Sequence, residues 1–278
     1  CGKQVYEARL VRGNGKVLEY YETVEEALAH YTAVSDPIVT LLCDKNMGDG
    51  ALVVTCKIRA AALDLGGHTL SGSGGAVFQI SQRYGFTLRN GKVENTGKGD
   101  AIQLTYGVDE AWGNMASSGN LTVEDLAVTA TKGWAIQVMD DADYADLNVM
   151  SGTFNGGLNA GTISGGHKVQ IHGGTFIANS GTHSVYYPGT GQGVTGLVGQ
   201  LKKLLADGWT YGNADGDPIN YFDEANRTVL DTDRPEWPQK IYLNAETVTI
   251  VEHAAHSIDR DSGKCSICGA PCTHIQTD

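Results

Sequence analysis

The densest group of reactive side chains in this chain lies near its end. His253 and His256 are followed by Cys265-Ser-Ile-Cys268 and then by Cys272-Thr-His274. A Cys-x-x-Cys turn flanked by histidines, with a Cys-x-His close behind, has the composition of a structural zinc site. Thiolates and imidazoles on tight turns can enclose Zn²⁺ where a segment is too short and polar to hold a core of its own. Cys265, Cys268 and His256 are the leading ligands, with His253, Cys272 or His274 as the fourth. The same residues also fit a disulfide in an oxidising milieu, or a metal-free remnant. Cys43 and Cys56 differ: both sit on apolar strand-like segments, where a cysteine packs as a small hydrophobe or bridges adjacent layers.

Two further sets of side chains could do chemistry. Asp140, Asp141 and Asp143, with Asp146 just beyond, form an acidic run. Close carboxylates can share acid and base roles on a glycosidic bond or hold Ca²⁺, although nothing else in the sequence supports calcium. Arg89, Lys92 and His172 could serve as a base or bind an acidic sugar. No regular Asp pair recurs, however, and in a chain of net charge −12 an acidic turn also reads as a solvated loop. Asn213-Ala-Asp-Gly-Asp217 lacks the terminal Glu of a calcium loop and reads as a β-turn. The other set is aromatic: Trp112, Trp134, Tyr144, Tyr186 and Tyr187. Aromatic faces beside acidic or amide groups suit sugar stacking or a protein partner. Trp112 lies in the longest insertion, Tyr106 to Asn120, and insertions in a repeat protein gather on one face. Trp134 and Tyr186 also fit as packing residues of a ladder.

What must position these residues is a repeat. Leu63-Asp-Leu-Gly-Gly-His-Thr-Leu70, Phe86-Thr-Leu-Arg-Asn-Gly-Lys-Val93, Leu121-Thr-Val-Glu-Asp-Leu-Ala-Val128, Leu147-Asn-Val-Met-Ser-Gly-Thr-Phe154 and Val169-Gln-Ile-His-Gly-Gly-Thr-Phe176 share one pattern. Each reads apolar-x-apolar, then small or polar residues, then apolar, at intervals of 23, 35, 26 and 22 residues. A period in that range marks a solenoid, whose repeats bury their apolar faces only against their neighbours. A second register follows 14 to 16 residues later, at Val77-Phe-Gln-Ile80, Ile102-Gln-Leu104, Ile136-Gln-Val138 and Val185-Tyr-Tyr187. These short alternating runs are half-buried strands. Helical spacing is absent between residues 50 and 190, and Gly or Ser interrupts every few positions. The pattern predicts an all-β chain: a right-handed parallel β-helix with three short strands per coil, and Leu63, Leu65, Leu88, Val123, Val149 and Ile171 pointing inward. Turns that need positive φ account for many of the 37 glycines.

The flanks supply covers for the open ends of the stack. Thr23 is an N-cap with Glu26 three residues on, and Val24, Ala27 and Leu28 share a face, which predicts a short helix. Leu197, Leu201, Leu204 and Leu205 predict a second helix with Lys202 and Lys203 outward. The expected organisation is an N-terminal cap over 1–49, the β-helix over 50–192, a C-terminal cap helix with a small β element over 193–251, and a Cys/His tail over 252–278. The acidic charge argues against nucleic acid, which needs a basic stripe. No apolar run approaches transmembrane length, so no membrane insertion is expected within this chain. A chain that opens on Cys1 without Met is expected to be a piece of something longer, and a monomeric one.

At this point the residues resemble a family. Leu63-Asp-Leu-Gly-Gly-His-Thr-Leu-Ser-Gly72 and the Ser-Gly-Thr-Phe and Gly-Gly-Thr-Phe units resemble the pectate-lyase-like β-helix modules of large surface proteins of Gram-positive gut bacteria. The resemblance covers roughly residues 16 to 190. Gly263-Lys-Cys-Ser-Ile-Cys-Gly-Ala-Pro-Cys-Thr-His274 is similar to short cysteine-histidine repeats found in tandem there, although His253 and His256 lack the opening Cys. The resemblance implies an extracellular, cell-surface module that binds a glycan or a host or bacterial surface protein, in adhesion or as a presenting spacer, with no catalysis. It also implies an alternative, a polysaccharide lyase or glycosidase acting on acidic polysaccharide.

Overall fold

The computed structural model describes residues 5–30, 36–55, 57–58, 60–82, 84–109, 115–139, 145–161, 168–189, 193–230, 240–253, 258–259 and 264–265. Six rungs stack in parallel. The first two are Ile38–Leu41, Lys45–Asn46, Leu52–Val54 and then Ala62–Asp64, Thr69–Gly72, Ala76–Ile80. The last two are Asp146–Val149, Gly152–Asn155, Leu158–Asn159 and then Lys168–Ile171, Gly174–Ile177, Val185–Tyr187. Between them, each middle rung has one long strand and one short: Phe86–Asn95 with Asp100–Leu104, then Asn120–Ala130 with Ile136–Val138. Every rung pairs with the next in parallel, and about five turns separate the first from the last. The chain is therefore the all-β parallel β-helix that its repeats predict.

The fused strands differ from the three separate strands expected, and the reason is local. Between first and second strands the backbone turns, and on the second, third and fourth rungs it enters the left-handed region. The second rung does so at Gly66 (φ 61°) and Gly67 (φ 82°). A Cβ on Gly66 would stand 2.8 Å from the Leu41 carbonyl oxygen, so glycine is required there. The third and fourth rungs use Asn90 (φ 57°) and Asp125 (φ 50°) instead. These short polar residues tolerate that region, and pairing continues straight through the bend. The small and polar residues of each repeat are thus a corner.

The core is a set of ladders. Val39, Leu63, Leu88, Val123, Val149 and Ile171 are register partners on successive rungs, all at 0% exposure. Leu52, Phe78, Ile102, Ile136, Leu158 and Val185 do the same on the third strands. On the second strands Phe154 stacks on Phe176 with ring centroids 4.8 Å apart. Each fully buried aliphatic of this kind stabilises by about 1.5–3 kcal/mol. Among the buried polar residues is Asn95, at the corner before the third strand. It donates to the Gly74 and Asp100 carbonyls and accepts from the Gly97 N–H, so the turn's polar groups are satisfied.

Both ends are covered. The antiparallel hairpin Ala8–Val11 and Val17–Tyr21 continues the first ladder, with Leu10 opposite Val39. The helix Val24–Ala29 buries Val24, Ala27 and Leu28, and the Thr23 hydroxyl accepts from the Glu26 N–H. At the other end all three ladders are closed. Leu205 bridges to Ile171 just after the helix Gly193–Lys203, Thr247–Glu252 runs antiparallel to Gly174–Ile177, and Lys240–Leu243 runs antiparallel to Val185–Tyr187. Trp209–Gly212 then pairs with Thr247–Glu252, so the β segments of this cap extend the solenoid sheets. Tyr211, fully buried, donates its hydroxyl to the Leu201 carbonyl at the end of the helix.

Truncating the centre of a ladder should cost far more than truncating its outer side. Leu88→Ala is expected to lower the unfolding free energy by about 2–5 kcal/mol. Exposed Val53→Ala should stay within about 0.5 kcal/mol of wild type in the same urea titration.

Candidate functional site

A parallel ladder displays its outward side chains as faithfully as it buries its inward ones. On the third-strand face the outward positions are Val53, Gln79, Gln103, Gln137, Asn159, Tyr186 and, on the cap strand, Tyr242. Amides fill the middle of this row. Gln79 donates to the Gln103 carboxamide oxygen at 3.0 Å, and Gln103 donates to Asp100 Oδ2 at 2.7 Å. The row spans about 29 Å at the usual strand spacing.

Its C-terminal half is aromatic. Trp134 stacks on Tyr186 with centroids 5.3 Å apart and planes 23° from parallel. His183 lies 5.8 Å from Tyr186 and 3.7 Å from Tyr242, nearly parallel to both. All four rings are half-buried and are stacked face against face along the row. Trp134 belongs to the fourth rung and Tyr186 to the sixth, with Gly156 and Gly157 on the rung between. A Cβ on Gly157 would collide with the His183 carbonyl oxygen, and both glycines have positive φ, so glycine is required where the backbones of these rungs meet.

Asp100 anchors the strip from beneath. It is buried, its Oδ1 accepts the Trp134 backbone N–H at 2.7 Å, and its Oδ2 accepts from Gln103. Burial pushes its carboxyl above the usual range, against the pull of those two hydrogen bonds. One side chain therefore couples the amide row to the indole. Burial also pulls the His183 imidazole below its ordinary value of 6.5, which keeps the ring neutral and flat against Tyr242.

The remaining residues singled out from sequence scatter. Tyr187 alternates with Tyr186 and points into the core, 3% exposed, which leaves its ring no face for a ligand. Arg89 lies on the first-strand face, paired with Asp64 through Nε at 3.1 Å. Lys92 pairs with Glu94. His172 follows the first strand of the sixth rung, three rungs from Arg89 and so about 14 Å away along the stack. Asp146 begins the fifth rung, while Trp112, Asp140, Asp141, Asp143 and Tyr144 lie outside the described residues. In the tail, His253 Nε2 and Cys265 Sγ approach to 3.3 Å, with Cys265 buried. His256, Cys268, Cys272 and His274 lie outside the described residues, as does Cys56, whereas Cys43 is half-buried. His183, Tyr242 and Asp100 were not singled out from sequence. The Gly156-Gly157 pair, breaking the repeat between two aromatic rungs, was the available signal.

Comparison with family models, with curated proteins and with solved structures finds no match to this chain. Its function rests on the residues themselves.

Two outcomes test this geometry. Asp100→Ala leaves the Trp134 N–H and the Gln103 amide without their acceptor and should destabilise by about 1–3 kcal/mol. Indole fluorescence should shift to longer wavelength with it. Because the folded state disfavours the charged His183, stability linked to it is complete above pH 6.5 and falls as pH drops below that value. A His183→Gln variant should show a shallower acid-side loss of thermal stability than wild type.

Proposed function

We propose that this chain is a non-enzymatic module of a bacterial cell-surface protein that binds a glycan along its third-strand face and so acts in adhesion. The observation that carries the reading is the unbroken outward row in which hydrogen-bonding amides, Gln79, Gln103, Gln137 and Asn159, run into the Trp134, Tyr186, His183 and Tyr242 rings. Sugar rings have apolar C–H faces and polar rims. The apolar surface left open by the ring stack accepts the faces, the carboxamides donate to and accept from hydroxyls, and a strip longer than one sugar selects an extended chain. No helix among the described residues is long and apolar enough to cross a membrane, so attachment to a cell would be supplied outside those residues. A host or bacterial protein could meet the same strip, and a glycan is favoured because the row is rich in amides and poor in large aliphatic residues.

The tail carries a second, structural reading: His253 and Cys265 supply two ligands of a zinc ion, completed from Cys268, His256, Cys272 or His274. A tetrahedral zinc with bonds of about 2.3 Å to sulfur and about 2.0 Å to nitrogen holds those atoms about 3.5 Å apart. The observed 3.3 Å fits that chemistry. Bound there, zinc would fix the tail against the end of the cap strand Thr247–Glu252.

A glycan array followed by calorimetry on its hits tests the first reading. Trp134→Ala and Tyr186→Ala should each weaken binding about tenfold or more, equivalent to at least 1.4 kcal/mol. Silence on glycans, or release of product from a polysaccharide at catalytic protein concentration, would overturn it. For the tail, elemental analysis of protein purified without added zinc should give about one equivalent, lost in Cys265→Ser. Metal-free protein whose cysteines resist alkylation without reductant would show a disulfide instead.

A further inference from the structure

The N-terminal end of the first-strand face carries a different surface. There the outward positions on successive strands are Arg9, Thr40, Asp64, Arg89 and Glu124. The turn of the N-terminal hairpin, with Arg12, folds over the first of these. That turn and the outward residues from Arg9 to Arg89 line a groove of about 280 Å³ whose cationic wall is Arg9, Arg12 and Arg89. Three arginines meet one carboxylate there, in a chain whose net charge is −12.

The arginines are unevenly satisfied. Arg89 uses Nε on Asp64 Oδ2 at 3.1 Å. Asp64 spends its other oxygen on the Gly66 N–H and the Asn90 carboxamide, so its acceptor capacity is committed within its own corner. Arg9 and Arg12 make no ion pair among the described residues, and the Arg9 Nε is buried without a hydrogen-bond partner among them. The guanidinium of Arg9 is thus held in the groove wall without a carboxylate of its own among the described residues. Beyond Arg89 the surface reverses sign. An adjoining hollow of about 200 Å³ is bounded by Asp64, Glu124 and Asp125, so the cationic groove ends sharply at Arg89.

We infer that this groove is a binding site for a ligand that carries an oxyanion, a carboxylate, sulfate or phosphate, held by Arg9, Arg12 and the outer nitrogens of Arg89. Guanidinium forks bind such groups in two parallel hydrogen bonds, which lysines could not reproduce. The hairpin turn forms one wall, so the site depends on the N-terminal cap being seated on the first rung. It lies on another face, and at the opposite end of the stack, from the Trp134 and Tyr186 strip. The two sites are therefore separable. A single extended ligand could not contact both along one row, because their rows run on different sheets.

The test is calorimetric titration of the full chain at low ionic strength with sodium glucuronate, sodium sulfate and sodium phosphate, and with glucose as the uncharged control. One saturable equivalent of anion and no binding of glucose is expected, and the tightest of the three identifies the group. Arg12→Gln, in an exposed turn, and Arg9→Gln should each weaken that anion at least tenfold. Asp64→Asn removes the resident carboxylate and should tighten it several-fold, which a merely structural Asp64 would not do. Trp134→Ala should leave the anion affinity unchanged while weakening glycan binding about tenfold or more, so failure of one site is distinguishable from failure of the other. No saturable binding of any anion, or equal binding by the folded Arg9→Gln/Arg12→Gln double variant, would overturn the inference.

Discussion

Parallel pairing in fixed register is the constraint on which everything else in this molecule depends. Once Leu63 lies beneath Leu88, and Leu88 beneath Val123, every other residue of those rungs has its neighbour assigned. A slip of one residue in any strand would turn its buried aliphatics toward water and its outward side chains inward, at a cost no local interaction could offset. The apolar ladders therefore hold the register, and the register arranges the surface. The outward rows are a consequence of the core, which is why amides and aromatic rings far apart in sequence share one flat strip.

Corners and ends are where the constraint is hardest to meet. Some corners use left-handed backbone, supplied by Gly66 and Gly67 on one rung and by Asn90 or Asp125 on others. Each end needs a cover for unpaired peptide groups. The C-terminal cap does this by antiparallel addition to two ladders and a bridge at Leu205 to the third. The same cap contributes Tyr242 to the strip, so closing the stack and extending the binding face are one structural event. At the N-terminal end the hairpin likewise covers the first ladder and brings Arg9 and Arg12 over the first-strand face.

Much of this was legible in the residues. The alternation at Leu63, Leu88, Val123, Val149 and Ile171 placed the inward ladder, because a period of two on a strand leaves one choice of face. Thr23 and Glu26 placed the first helix, since capping chemistry is local. Trp134 and Tyr186 could be marked as aromatic but not as partners. Their stacking spans two turns of backbone, with Gly156 and Gly157 on the rung between, and is not announced by either ring alone. Tyr187 illustrates the opposite difficulty: beside Tyr186 it looks equivalent, and only the register sends it inward. Tyr242 was out of reach for another reason. It arrives by an antiparallel return from more than 50 residues away, outside any repeat. Arg9 escaped notice because nothing in its own strand announces a groove, which forms only when the hairpin lies on the ladder carrying Arg89.

Disulfide mapping tests the register directly. Gln103 and Gln137 are paired on adjacent rungs, whereas Gln103 and Asn159 are two rungs apart. At the spacing of neighbouring strands, about 4.8 Å, a Gln103→Cys/Gln137→Cys pair should cross-link rapidly under mild oxidation. A Gln103→Cys/Asn159→Cys pair, at about twice that distance, should not. Peptide mass mapping that found the second link formed and the first absent would contradict the stacking, and with it the strip of amides and rings on the third-strand face.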